Sequence, residues 1–370
     1  MKVYQSPRLV ETRVAEFFGY NSAVIFGRAR SAITALLETL GGENEVAFIV
    51  PSNVCPSIVA AGATAKANII TVDVEKETGL PSDEAFSAAI RKEERPGVVM
   101  PTYLYGFHRD YNNTLAVSRD RGWFVLENDT SATRALTNDS LPKNSAGDAL
   151  LVSFGSGKVI DGGSGGALLS DDIGIVNEMR KRVAKYPPLD EKAHIIERQL
   201  VHLRRLLQNR EVNYPTMCCL YEKFLPYEVS TARLALPEVF DESIITALET
   251  FPDKRLARIK QVGEWEKLLS DISDDIAFVP LEQHSPWRFI ARILRRRDLV
   301  IRNLRSKGYD VGTNYPPLHY FFPNRIDVDS SIGGDGWGNE VINLWLTPEY
   351  NEQRMITVAE LIRQTLSNHG

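Results

Sequence analysis

Cysteine is scarce in this 370-residue chain: three residues, Cys55, Cys218 and Cys219, two of them adjacent and none at CxxC spacing. An odd count without that spacing argues against a disulfide framework and against zinc, so buried thiols and a cytoplasmic protein are expected, with no metal site. Positive charge is not in excess either. With 43 Lys and Arg against 48 Asp and Glu, the net charge is −5, and no long basic run offers a nucleic-acid surface. Arg295-Arg296-Arg297 falls in an amphipathic stretch and is expected on a solvated helix face. No apolar run is long enough to span a bilayer, and the start, MKVYQSPRLVETRVAEFFGY, has no apolar signal-peptide core. Internal repeats and low-complexity segments are missing as well. What remains, 43% apolar and 25% charged residues, suits a soluble globular protein of roughly two domains.

From about residue 20 to 170 helical and strand patterns alternate. Short apolar runs at Ala47–Pro51, Ile69–Val74, Gly97–Pro101, Trp123–Glu127, Ala149–Phe154 and Ala167–Ser170 read as strands. Helical spacing recurs at Arg30–Leu40, Pro56–Ala63, Ser82–Lys92 and Asn112–Arg121. This alternation predicts an α/β fold with a mostly parallel central sheet and helices on both faces. In such sheets ligands collect beyond the carboxyl ends of the strands. Pro51-Ser52-Asn53, Thr102-Tyr103, Asn128-Asp129 and Ser153 to Lys158 all fall there. After residue 172 the pattern turns helical, with Glu191–Asn209 and residues 240–270 the longest stretches. A smaller α/β unit follows, with strands near Ala277, Arg288–Ile293 and Val341–Trp345 and helices at Asp298–Lys307 and Asn351–Ser367. The expected division is a large domain over 20–250, a small one over 255–370 and an N-terminal segment over 1–19. Gly333-Gly334-Asp335-Gly336 reads as a flexible loop.

Lys158 is the most informative residue. It stands in SFGSGKVIDGGSGGALLS, at the exit of the strand-like run Ala149–Val152 and before flexible glycine-rich backbone. There an amine that can lose its proton in a partly desolvated pocket could hold a carbonyl cofactor as a Schiff base. Nucleotide motifs do not account for these glycines. Position 152 is valine and Val159 follows Gly157-Lys158, so no Walker A loop is present. Gly163, Gly165 and Gly166 run into Ala-Leu-Leu-Ser, a strand, where a dinucleotide fingerprint needs a helix.

The order GRARSAI, VPSNVCPSIVAAGA, PTYLYGF, FVLEND, SFGSGK…GGSGGALL, NYPPLH and NLWLTPEYNEQRM resembles the DegT/DnrJ/EryC1/StrS family of pyridoxal-phosphate enzymes. That family is best known for nucleotide-sugar aminotransferases, and the likeness runs from about residue 20 to 368. The resemblance implies the aspartate-aminotransferase type of fold, with active sites completed across a homodimer. It implies that Lys158 carries pyridoxal 5'-phosphate, that Ser153 and the turn Ala29-Arg30-Ser31 hold its phosphate, and that Tyr315, Pro316, Pro317 and His319 lie near the substrate entrance. A helix N-terminus at Ala29 suits an anion, because its free N–H groups point outward.

Three positions depart from the family pattern. Where the family reads Glu-Asp-Ala-Ala-Gln or -His, this chain reads Glu127-Asn128-Asp129-Thr130-Ser131. Asn128 therefore stands on the position of the aspartate that pairs with the ring nitrogen, and Ser131 on that of the Gln or His. Either Asn128 faces the ring and weakens the electron sink, or a one-residue shift presents Asp129, which strand alternation makes costly. Cys55 stands where many relatives place an aromatic that stacks on the cofactor. The family's further phosphate-binding motifs have no match near Arg180–Tyr186 or Leu225–Arg233. The implied activity is amino transfer from an amino acid, glutamate in most such enzymes, to a keto-sugar, typically nucleotide-linked. A different pyridoxal-phosphate reaction, or a cofactor-binding regulator without turnover, are the alternatives. Relatives that dehydrate sugars replace the lysine by histidine, so Lys158 argues against that branch.

Overall fold

The alternation over residues 20–170 becomes one sheet. The computed structural model describes residues 7–42, 44–132, 147–207, 214–328 and 332–367. Its strands are β1 (Ser22–Phe26), β2 (Ala47–Pro51), β3 (Asn68–Val72), β4 (Val98–Val99), β5 (Phe124–Asn128), β6 (Ala149–Ser153), β7 (Gly166–Ser170), β8 (Ile276–Phe278), β9 (Phe289–Ile293), β10 (Ile326–Val328) and β11 (Val341–Leu344). The helices are α1 (Leu9–Phe18), α2 (Ala29–Gly41), α3 (Ser57–Ala65), α4 (Asp83–Lys92), α5 (Asn112–Arg121), α6 (Ile173–Val183), α7 (Glu191–Leu207), α8 (Tyr214–Ser230), α9 (Asp241–Glu249), α10 (Phe251–Leu269), α11 (Arg297–Ser306), α12 (Ile332–Glu340) and α13 (Glu352–Ser367). The expected helix at 191–209 is α7; Asn209 itself lies outside the described residues. Among the described residues no helix is long and apolar enough to cross a membrane.

Eight strands stand in the order β1-β7-β6-β5-β4-β2-β3-β10. Only β7 runs against its neighbours β1 and β6. The reason is local: the connection from β6 to β7 contains no helix, and a parallel return needs a long crossover. Burial on both faces explains why the strands read as apolar runs rather than alternations. Leu151 and Leu126 face a core made with α2, α3, α6 and α8. Leu150 and Val152 face α1 and α9, and Val125 and Ile49 face α4 and α5. Ser82 caps α4 by accepting the Ala85 N–H at 3.1 Å.

The smaller antiparallel sheet, β11-β9-β8, packs on α10, α11 and α13 around Trp265, Phe289 and Ile342. The chain does not stay on its own side of residue 250. β10 pairs parallel with β3, Ile326 opposite Ile69, and Leu318, Phe321 and Phe322 join the core of the large sheet. At the other end α1 belongs to the large unit, where Val10, Val14 and Phe18 meet Ile244, Leu248 and Phe251.

Two expectations change. Gly333–Gly336, read as a loop, lies inside α12. Its glycines serve close approach: a Cβ at Gly333 would come within 1.8 Å of the Val74 carbonyl oxygen, and one at Gly338 within 2.8 Å of Pro317. Asp73 accepts the Gly333 and Gly334 N–H groups at 3.0 and 2.9 Å, holding the helix start that the glycines would otherwise weaken. Arg297 is not on a solvated face. It is buried and donates to the Asn339 and Gly338 carbonyls at the end of α12, at 2.8 and 2.7 Å, where a cation suits the helix dipole.

Candidate active site

The carboxyl ends of β2, β4, β5 and β6 bring polar residues to one rim. Ser52 and Asn53 follow β2 and are buried. The Ser52 hydroxyl and the Asn53 amide oxygen have no hydrogen-bond partner among the described residues, so both remain able to bond a ligand. Thr102 forms an isolated bridge with Asn128, and Asn128 Nδ2 lies 3.5 Å from the Thr102 hydroxyl. Asn128 has the parity of Leu126, which puts it on the face shared with α2 and α3. Its side-chain oxygen accepts the Thr130 N–H at 3.4 Å. Asp129, of opposite parity, is fully buried and its N–H continues the ladder to the Leu151 carbonyl. Ser131 is buried too, its carbonyl accepting the Ser285 hydroxyl at 2.8 Å.

Lys158 reaches this rim from the loop after β6. The residue is half-buried, and its Nζ lies 3.4 Å from the Thr130 hydroxyl. Desolvation pushes its ammonium below the ordinary lysine range; Cys55 opposes this and Arg288 adds to it. Burial thus eases the loss of the proton, which is what a nucleophilic or proton-moving amine requires. Gly157, just before it, adopts a left-handed φ of 79°, a turn that costs a side chain little only at glycine. Cys55 is half-buried, its sulfur 3.1 Å from the Ser57 hydroxyl. Ser153, also half-buried, accepts the Gly155 N–H at 3.4 Å.

The cover of the site comes from the segment before β9. His284 donates to the Gly106 carbonyl at 2.9 Å, and a Cβ at Gly106 would come within 1.9 Å of the Ser285 carbonyl oxygen. That close docking delivers Trp287, whose Nε1 donates to the Gly157 carbonyl at 2.8 Å. Lys158 Nζ lies 5.5 Å from the centre of the same indole. Tyr315 stacks on its ring system, 6.4 Å between centres and 7° from parallel. The Tyr315 N–H is held by the buried Tyr105 hydroxyl, which also accepts from Trp337, each at 3.1 Å. Burial pushes that phenol up, so it stays a neutral partner for both. Trp287, Arg288 and Thr130 were not candidates from the sequence. Arg288 read only as the first residue of an apolar strand and Trp287 was not singled out; the signal available was a Trp-Arg pair after Ser-Pro in SPWRFIARI.

Other expected residues stand elsewhere. Arg30 opens α2, but its guanidinium turns to Glu197, 2.6 Å away, and to the Thr231 hydroxyl at 2.6 Å. An anion at the start of α2 would therefore meet the backbone of Ala29 and Arg30 rather than that side chain. Ser31 holds the Leu234 N–H at 3.3 Å. His319 sits by Asp335, 3.4 Å away, and senses Asp73 beyond β3, four places along the sheet from β6. Burial lowers its basicity while Asp335 and Asp73 raise it. It does not join Lys158.

A cofactor with a carbonyl, a ring nitrogen and a phosphate would be matched at three points. Lys158 supplies the amine, Asn128 a buried amide, and the start of α2 an anion cradle. A Cβ at Gly166 would come within 2.5 Å of the Ala29 nitrogen, so only glycine leaves that cradle open.

Known proteins resemble this chain in sequence and in fold. A model of the DegT/DnrJ/EryC1/StrS aminotransferase family matches residues 2–218. The chain is 22% identical over 339 residues to the GDP-perosamine synthase of Caulobacter vibrioides, covering 88% of this chain and 82% of that protein. It is 23% identical to the dTDP-3-amino-3,4,6-trideoxy-alpha-D-glucose transaminase of Micromonospora megalomicea, covering 98% and 90%. Among solved structures, the aminotransferase TlmJ of Streptoalloteichus hindustanus superposes with a TM-score of 0.76 at 19% identity, covering 98% of this chain and 92% of TlmJ. At that identity the superposition speaks for the fold alone.

Proposed function

Because the chain belongs to the DegT/DnrJ/EryC1/StrS aminotransferase family, we propose that it moves an amino group from an amino-acid donor, L-glutamate, to a nucleotide-linked keto-sugar, with pyridoxal 5'-phosphate as carrier. The observation that carries this reading is Lys158: an amine at the carboxyl end of β6 whose ammonium form is disfavoured by burial. The acceptor class follows the relatives, named for GDP- and dTDP-linked sugars.

When bound, pyridoxal phosphate supplies an electron sink that lets a proton leave the carbon bearing the donor's nitrogen. The chain's residues do the rest. Lys158 Nζ would hold the cofactor and, when free, would take that proton as general base and deliver it as general acid to the carbon on the far side of the donor's nitrogen. The Thr130 hydroxyl, 3.4 Å from Nζ, orients the amine. Trp287 covers it and keeps water from the exchanging proton. Asn128 would bond the ring nitrogen without the charge of an aspartate, giving a weaker sink than the family pattern. Ser153 and the backbone at Ala29 and Arg30 would hold the phosphate, with Cys55 beside the ring. Tyr315 would border the acceptor through its stack on Trp287. His319 would serve the entrance, and a second copy of the chain would close the site. A cytoplasmic setting fits a small-molecule enzyme of this kind.

The test is the visible spectrum of the protein loaded with pyridoxal phosphate, before and after L-glutamate. The expected result is a yellow band that glutamate bleaches, and no such band in Lys158→Ala. A wild-type band that glutamate leaves unchanged, beside one that a nucleotide keto-sugar or amino-sugar alters, favours a different reaction of the same cofactor; Asn128 in place of the acid is the observation behind that second reading.

A further inference from the structure

A single line of hydrogen bonds joins the reactive amine to the residue set for the cofactor's ring. Lys158 Nζ donates to the Thr130 hydroxyl at 3.4 Å. The N–H of the same Thr130 donates to the Asn128 side-chain oxygen at 3.4 Å. At the other end of that amide, Nδ2 lies 3.5 Å from the Thr102 hydroxyl. Thr102 in turn donates its own proton to the Met100 carbonyl at 3.1 Å. Both ends of the amide are therefore set by backbone groups that have no choice of role. A backbone N–H can only donate, so the end facing Thr130 is the oxygen. A backbone carbonyl can only accept, so Thr102 gives its proton to Met100 and turns a lone pair to Asn128. The amide nitrogen then has to face Thr102.

Nδ2 carries two hydrogens, and Thr102 takes one of them. The other has no partner among the described residues. Asn128 is 5% exposed, so that hydrogen stands ready for a buried acceptor. Carboxylates are turned away from it. Glu127 and Asp129 have the opposite strand parity, and Glu127 is held by the Tyr103 hydroxyl at 2.6 Å and the Gly147 N–H at 3.0 Å. A protonated ring nitrogen against Asn128 would be a buried cation answered only by a neutral amide, which desolvation disfavours. An unprotonated one brings the lone pair that Nδ2 lacks.

Building on the cofactor placement in the proposed function, we propose that Thr102 and Thr130 fix the Asn128 amide as a hydrogen-bond donor, so that this protein holds the cofactor with its ring nitrogen unprotonated. Thr102 is a positioning residue: it acts on the ring only through the amide it orients. With a neutral ring the sink is weaker, and removal of the donor's proton depends more on the basicity of Lys158. The inference rests on the cofactor reading and not on amino transfer, so the two fail separately.

The measurement is solid-state nitrogen NMR of the full-length protein loaded with pyridoxal phosphate isotopically labelled at the ring nitrogen. Free cofactor above and below its own ring titration supplies the two reference positions, and cofactor affinity is read alongside by absorbance titration. The wild-type signal is expected in the unprotonated range, and that of Asn128→Asp in the protonated one. Thr102→Val has a similar shape and removes the hydroxyl, releasing one of the two holds on the amide. Its signal should move towards the protonated range as the amide turns. Its cofactor affinity should fall about fivefold, the scale of one neutral hydrogen bond of about 1 kcal/mol. Thr102→Ser should restore both. A wild-type signal in the protonated range overturns the proposal. A Thr102→Val signal at the wild-type position, whatever the affinity, overturns Thr102 as the positioning residue and leaves its hydroxyl a packing contact. If the wild-type nitrogen is unprotonated and glutamate leaves the visible band unchanged, the transfer reading falls while the ring contact stands. If no visible band forms in wild type, the cofactor reading falls and this proposal with it.

Discussion

Lys158 and Arg30 are both cations withdrawn from water beside the same sheet, and the protein treats them in opposite ways. Arg30, at the start of α2, is met by Glu197 at 2.6 Å and 3.3 Å and by the Thr231 hydroxyl and carbonyl. Its charge is answered and its position fixed. Lys158 is met by a neutral hydroxyl, a nearby thiol, an indole and a second cation. Burial outweighs what Cys55 offers the ammonium, so the loss of its proton is eased. One buried cation is a brace between α2 and α7; the other is a reagent. Both are cationic side chains drawn in against the sheet, so the difference lies in the partner, which no local sequence pattern specifies.

The sharpest way to break the comparison is to remove each side chain in turn. Lys158→Ala should lose turnover by at least about a thousandfold, the scale on which a positioned acid–base group acts. It should unfold in urea at the wild-type apo midpoint or above it. Arg30→Met should do the reverse. It leaves Glu197, itself partly buried, without its main partner, and breaking such a pair costs roughly 3 kcal/mol. The urea midpoint should fall while the yellow cofactor band survives in the folded fraction. An Arg30→Met protein of normal stability that cannot take up pyridoxal phosphate would move Arg30 from brace to phosphate ligand.

The second contrast is in pH. Because burial lowers the ammonium pKa of Lys158 in the folded protein, the unfolded chain binds more protons between that value and the ordinary one near about 10.4. Stability from this residue therefore rises with pH through that window, and at neutral pH the buried amine is a burden. Replacing it by Met, similar in length and uncharged, should raise the melting temperature of the apo-protein near pH 7. The advantage should shrink as the pH approaches about 10. A difference that stays constant with pH would mean that Lys158 is not desolvated.

How much of this was legible in the sequence follows the same division. The strands of the large sheet announced themselves because each is buried on both faces, and Asn112–Arg121 and Ser82–Lys92 were delimited almost to the residue. Lys158 was legible because a strand exit and a glycine-rich turn are local features. Three things were not. The glycines of α12 imitate a loop, and only the contacts of Gly333 with Val74 and of Gly338 with Pro317 explain their presence in a helix. β10 joins β3 across more than 250 positions of chain, a pairing that no periodicity encodes. Trp287 and Arg288 reach Lys158 because Ser285 and His284 dock on Gly106 and Ser131, a tertiary contact between segments that look unremarkable apart.

The smallest expected effect tests whether that docked segment positions Lys158 or merely shelters it. Trp287→Phe keeps an aromatic face near the lysine and removes one donor, the indole N–H that holds the Gly157 carbonyl at 2.8 Å. A neutral hydrogen bond of this kind contributes about 1 kcal/mol. If its role is to fix the turn that aims Lys158, the loss should fall on the maximal rate of glutamate bleaching, by about fivefold, with the half-saturating glutamate concentration little changed. If the indole merely covers the site, the phenyl ring should serve nearly as well and the rate should hold. Rapid-mixing absorbance on the two proteins separates these outcomes. A rise in half-saturating glutamate with an unchanged rate would instead place the contribution of Trp287 on the binding of glutamate rather than on the Lys158 turn.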